Sequence, residues 1–86
     1  MKVTEVRITK LNNTGDLKGF ASICLDGEFV VDGYKIINRD GELRILNPEK
    51  SKKNADGTFE HRDTAYATSP ELKAKIIAAI KEEYSK

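Results

Sequence analysis

Apolar and polar residues alternate along the first half of the chain, and apolar residues recur every third or fourth position only near its end. Alternation marks strands, whose successive side chains face opposite ways, and the longer period marks an amphipathic helix. In residues 2–11, Val6 and Ile8 share one face while Val3 and Leu11 fall on the other parity, which predicts a strand with a bulge near its start. Asn12-Asn13-Thr14-Gly15-Asp16 has turn chemistry, because Asn and Gly tolerate left-handed backbone. Residues 17–26 read as a second strand, with Ala21, Ile23 and Leu25 on one face and Phe20, Ser22 and Cys24 on the other. Such two-sided apolarity fits a central strand or one covered at an interface.

Asp26-Gly27 is a strong hairpin signal. A third strand follows from Glu28 to Ile37, where the run Phe29-Val30-Val31 again predicts burial on both faces and Gly33 marks a bulge. Asn38-Arg39-Asp40-Gly41 forms the next turn and Leu43 to Asn47 a fourth strand. Pro48 has no N–H to give a ladder, so the strand ends there or continues as an edge. The stretch from Glu49 to Thr58 is polar and reads as a loop with a turn at Asp56-Gly57. Residues 58–63 are expected to form a short fifth strand pairing back on the fourth.

The final segment carries helix signals. Ser69 suits the N-cap, Pro70 the first helical position and Glu71 the positive end of the dipole. Leu72, Ile76, Ile80 and Tyr84 make a stripe, widened by Ile77 and Ala79, while Lys73, Lys75 and Lys81 lie off it. The expected fold is α+β: one domain over residues 1–86, an antiparallel sheet of four to five strands and one C-terminal helix. One helix covers one face of a sheet, so the second apolar face points to a homodimer formed through the sheet.

The 86 residues allow only a thin core. Fifteen Lys and Arg against fourteen Asp and Glu exclude a strongly basic histone-like chain, though not a local basic patch. Cys24 is the single cysteine, so no internal disulfide can form, and this fits a reducing cytoplasm. Lys2, Glu5, Arg7 and Lys10 interrupt any signal-peptide core, and the longest apolar run, Ile76 to Ile80, is far too short to span a membrane.

Charge is unevenly spread. In segment 25–42, Asp26, Glu28, Asp32, Asp40 and Glu42 outnumber Lys35 and Arg39, whereas in segment 44–53, Arg44, Lys50, Lys52 and Lys53 outnumber Glu49. The basic segment is a candidate phosphate-binding surface with salt-dependent affinity. Arg62 joins it if the fifth strand pairs with the fourth, and Lys73 and Lys75 join if the helix start lies nearby. The competing reading is a solvated lysine loop that protects an edge strand from aggregation. Phe59 and Tyr66 flank the loop and suit either base stacking or strand packing.

Other chemistry finds little support. His61 has Asp63, Ser51, Thr58 and Ser69 near it in sequence, but no nucleophile-elbow motif, and its spacing from Asp56, Glu60 and Asp63 matches no metal motif. No phosphate-cradling glycine loop is present. Cys24 reads as a small hydrophobe of the core or an interface. No catalytic residue, metal or cofactor is expected.

The order of these signals resembles the stage V sporulation protein G (septation protein G) family. Val3-Thr4-Glu5-Val6-Arg7 resembles its opening strand; Ala21-Ser22-Ile23, Leu25-Asp26 and Glu28-Phe29-Val30-Val31 resemble its most distinctive stretch. Asp56-Gly57-Thr58-Phe59, Arg62-Asp63 and the run from Ile76 to Tyr84 follow in the family's order. The family's Met-Pro-Ser-Lys is reduced here to Pro48 and Lys50, and Arg62-Asp63 leads to Thr64-Ala65-Tyr66-Ala67 instead of a His-Pro-Ile segment. The resemblance implies a cytoplasmic, non-enzymatic bacterial regulator that dimerises through its sheet, binds DNA and RNA, and is linked to sporulation, septation and cell division. Arg44, Lys50, Lys52 and Lys53 are the expected main phosphate contacts, with Arg62, Lys73 and Lys75 secondary. An adaptor that binds a protein partner of the division or regulatory machinery is the alternative.

Overall fold

The computed structural model describes residues 1–12 and 15–86; of the expected first turn, Asn13 and Thr14 lie outside them. The elements are β1 (Val3–Lys10), β2 (Leu17–Leu25), β3 (Phe29–Arg39), β4 (Glu42–Leu46), β5 (Glu49–Lys53), β6 (Phe59–Asp63) and α1 (Pro70–Tyr84). The first four strands form an antiparallel sheet in the order β1-β2-β3-β4, and β5 and β6 form a separate two-stranded ribbon. This is the expected α+β arrangement. The hairpin turns work as their chemistry dictates: Asp26 and Gly27 (φ 53° and 68°), like Asp40 and Gly41 (φ 54° and 80°), are left-handed, as type I′ turns require at both central positions.

Two bulges decide which side chains reach the core. The β1–β2 register shifts between Val3 and Glu5, so Thr4 is the extra residue and Val3 returns to the face of Val6 and Ile8, where all three pack against the core. The β2–β3 register shifts so that Ala21 faces Tyr34 while Ser22 faces Asp32. The bulged Gly33 (φ 99°) thereby places both Val31 and Tyr34 on the core side, in a backbone conformation that side chains resist.

The core is Ala21, Ile23, Leu25, Tyr34, Ile36, Ile76 and Ile80. Helix α1 covers one face of the sheet with the expected stripe: Ile76 and Ile80 are buried, and Leu72 and Tyr84 pack at its ends. Its N-cap is Ser69, whose Oγ accepts the Leu72 N–H at 3.3 Å and donates to Glu71 Oε2 at 2.8 Å. Ser69→Ala should cost about 1 kcal/mol, measurable as a fall in thermal midpoint by circular dichroism.

The other face of the main sheet stays open within one chain: β2 and β3 are central strands, as expected, but the expected burial of β3 on both faces is not met by the chain alone. Phe20, Val30 and Leu46 are exposed there, and Cys24 is only half-buried because Ala21, Ile23 and Leu25 take the helix side. Phe29, at the end of β3, is also exposed.

The basic segment is not a loop. Residues 49–53 are strand β5, and β6 pairs with it rather than with β4. Pro48 ends β4 as expected, and its carbonyl accepts the Thr64 N–H at 2.8 Å, which closes the ribbon at its base. The ribbon ends in an ordered turn: Asn54 N–H donates to Thr58 O at 2.7 Å, and Asp56 Oδ1 accepts from the Thr58 hydroxyl and N–H at 2.6 and 3.0 Å.

Candidate nucleic-acid interface

Register places the ribbon's side chains. Lys50 lies directly opposite Arg62 and Lys52 opposite Glu60, so these four share one face. Ser51 opposite His61 and Lys53 opposite Phe59 share the other, with Glu49 and Asp63 at the base. Every ribbon residue except Glu49 is exposed.

The basic residues of the ribbon differ from those of the main sheet. Arg7 pairs with Glu5 at 3.0 Å, Lys35 with Glu49 at 3.0 Å, Arg39 with Asp16 at 3.1 Å and Arg44 with Glu42 at 3.3 Å. Among the described residues, Lys50, Lys52, Lys53 and Arg62 make no ion pair. Like charges directly across a strand pair repel and destabilise it. The Lys50–Arg62 pairing therefore works against the ribbon's own stability and concentrates positive potential on one exposed face.

Glu49 fixes the ribbon to the sheet. Its Oε1 meets Lys35 Nζ of β3 at 3.0 Å and lies 3.8 Å from His61 Nδ1. Asn47 Nδ2 donates to Asp63 Oδ2 at 3.2 Å, and Pro48 packs beside Gly33.

The structure thus brings Lys50, Lys52, Lys53 and Arg62 together, Arg62 arriving through β5 rather than β4. Lys73 is adjacent: it lines a groove of about 210 Å³ with Asn47, Glu49 and Asp63 at the ribbon's base. Burial pushes the Tyr34 phenol in the same groove above its ordinary pKa. Arg44 stands on the open face of β4, paired with Glu42. Lys75 lies with Lys2 and Val3 at the β1 edge, across the sheet from the strand that leads into the ribbon. Phe59 and Tyr66 are both exposed, so neither is core. Sequence reasoning left out Lys35 and Glu49, which anchor the ribbon; their distance of 14 residues carries no local signal.

His61 does not complete a hydrolytic triad. Ser51 Oγ lies 3.0 Å from His61 Nδ1, and Glu49 is also nearest that same nitrogen. A triad needs nucleophile and orienting acid on opposite ring nitrogens. Among the described residues no group of His, Cys, Asp and Glu is arranged to hold a metal, and no helix is long and apolar enough to cross a membrane.

Two exposed carboxylates make stability pH-dependent. Hydrogen bonds from Thr58 hold Asp56 below its ordinary pKa of 3.8, and the Ser69 hydroxyl holds Glu71 below 4.5. A depressed folded pKa means that the unfolded chain binds protons first, so stability falls as pH drops. The contribution is complete above the ordinary values and is lost as pH falls through the depressed ones. Acid unfolding followed by circular dichroism should show it, and Ser69→Ala should raise the Glu71 titration midpoint.

A model of the SpoVG family matches residues 1–86. The septation protein SpoVG of Clostridium beijerinckii is 38% identical over 86 residues, covering 100% of this chain and 90% of the relative. That of Caldanaerobacter subterraneus subsp. tengcongensis is 40% identical over 86 residues with the same 100% and 90% coverage. That of Brevibacillus brevis is 38% identical over 86 residues, covering 100% and 86%. These names describe a septation protein.

Proposed function

The chain belongs to the SpoVG family, and from that premise we propose that it is a non-enzymatic, homodimeric regulator, tied to septation and sporulation, that binds DNA or RNA in the cytoplasm through the β5–β6 ribbon. The observation that carries this reading is the set of unpaired cations Lys50, Lys52, Lys53 and Arg62 on an exposed ribbon, in a chain that pairs the Arg residues of its main sheet with acids. Lys73 extends the surface at the ribbon's base; Arg44 and Lys75 are more distant contributors that a bent or long nucleic acid would reach.

The dimer rests on the open sheet face, where Phe20, Val30 and Leu46 stay exposed. Edge pairing is the poorer route. β1 is broken by its bulge and carries Glu5, Arg7 and Lys10, while β4 is short and stops at Pro48. The same apolar face favours the second reading, an adaptor holding a protein partner of the division machinery.

Fluorescence polarisation of labelled duplex DNA and single-stranded RNA at two salt concentrations, with light scattering for mass, separates the readings. Four cations of one chain that displace counterions from the duplex imply roughly 150-fold weaker binding between 50 and 200 mM salt, and engagement of both chains of the dimer steepens this. Salt-independent or absent binding would move the adaptor to the front, and a monomer by light scattering would remove the dimer.

A further inference from the structure

We infer that the β5–β6 ribbon enters the major groove of B-form DNA with its Lys50, Lys52, Glu60 and Arg62 face toward the base edges. This rests on the nucleic-acid reading above and adds a binding mode and a preferred substrate to it.

Shape is the first argument. The ribbon is a two-stranded sheet of its own, with both faces open and strands of 5 residues each. Strands of that length run about 17 Å, at a spacing near 4.8 Å. The B-DNA major groove, about 12 Å wide, admits a two-stranded ribbon. The deep, narrow major groove of an A-form RNA duplex does not admit protein side chains in this way.

Chemistry is the second. Lys and Arg donate to guanine O6 and N7, and Glu accepts from cytosine N4. The ribbon's one face carries both kinds of group in register, Lys50 against Arg62 and Lys52 against Glu60. None of the four has an ion-pair or hydrogen-bond partner among the described side-chain contacts, so all four are free to meet bases. Lys53, on the other face, is placed for backbone phosphate. A single-strand platform would need aromatics beside the cations, yet Phe59 lies on the face away from Lys50, Lys52 and Arg62.

Rigidity is the third. Glu49 to Lys35, Asn47 to Asp63 and Thr64 to Pro48 hold the ribbon's base, and the Asn54–Thr58 bonds hold its tip. A ribbon fixed at both ends pre-sets the spacing of its side chains, which base readout requires.

The test uses the full chain and one GC-rich sequence made as duplex DNA, as duplex RNA and as a single DNA strand, at low salt. Duplex DNA should bind at least tenfold more tightly than either alternative. Methylating guanine N7 should weaken binding several-fold, and Arg62→Ala should weaken it about tenfold while leaving the circular dichroism spectrum unchanged. Equal or tighter binding of the RNA duplex or the single strand overturns the groove mode, and so does indifference to N7 methylation, while the nucleic-acid reading survives both. Failure to bind any of the three removes that reading as well. The methylation arm uses wild-type protein, so it stands even if a variant misfolds.

Discussion

Ile80→Ala should cost about 2–5 kcal/mol, the range for emptying a buried aliphatic site. Ile80 is fully buried and belongs to a core of seven residues. A chain of this size holds only about 4–13 kcal/mol of stability in total, so one substitution removes a large share. The thermal midpoint should fall by at least about 10 °C. Leu46→Ala is the contrasting case: Leu46 is exposed on the open face, so its loss should cost no more than about 0.5 kcal/mol in an isolated monomer and more where the proposed dimer covers that face. Equal losses in the two variants would mean that the open face is covered in solution as firmly as the helix side.

The second large effect is on binding. Replacing Lys50, Lys52 and Lys53 together by Glu removes three positive charges and adds three negative ones on a ribbon whose side chains there are exposed and unpaired. Affinity for nucleic acid should drop by more than about a hundredfold, and the residual binding should lose most of its salt dependence. Folding should be unaffected, because none of the three touches the core. The Lys50–Arg62 repulsion becomes a Glu–Arg attraction in the variant while the Lys52–Glu60 pair becomes a like-charge pair, so the two cross-strand changes offset and the ribbon's stability should change little. Unchanged affinity in a folded variant would locate binding elsewhere.

Much of the fold could be read along the chain. The helix was legible from Ser69-Pro70-Glu71 and the spacing of Leu72, Ile76, Ile80 and Tyr84, because capping and periodicity are local. The turns at Asp26-Gly27 and Asp40-Gly41 were legible because left-handed backbone selects few residues. Strand β5 was not. Glu49-Lys50-Ser51-Lys52-Lys53 lacks apolar alternation, since a free ribbon buries neither face and leaves hydropathy no pattern to impose. The partner of β6 was missed for the same reason. Apolar residues on both faces of β2 and β3 read as burial, but the chain supplies one helix and leaves Phe20 and Val30 bare. The basic cluster was visible as composition; that Arg62 stands across from Lys50, and that Lys35 and Glu49 set the ribbon's position, depends on register and long-range contacts.

Backbone amide shifts of isotope-labelled protein, recorded as duplex DNA is added, show whether nucleic acid binds at the ribbon. The expected result is perturbation concentrated at residues 49–53 and 59–63, weaker at Lys73, Arg44 and Lys75, and little change on the helix around Lys81. Shifts confined to the helix or to the open face around Phe20 and Val30, with the ribbon unmoved, would contradict binding there.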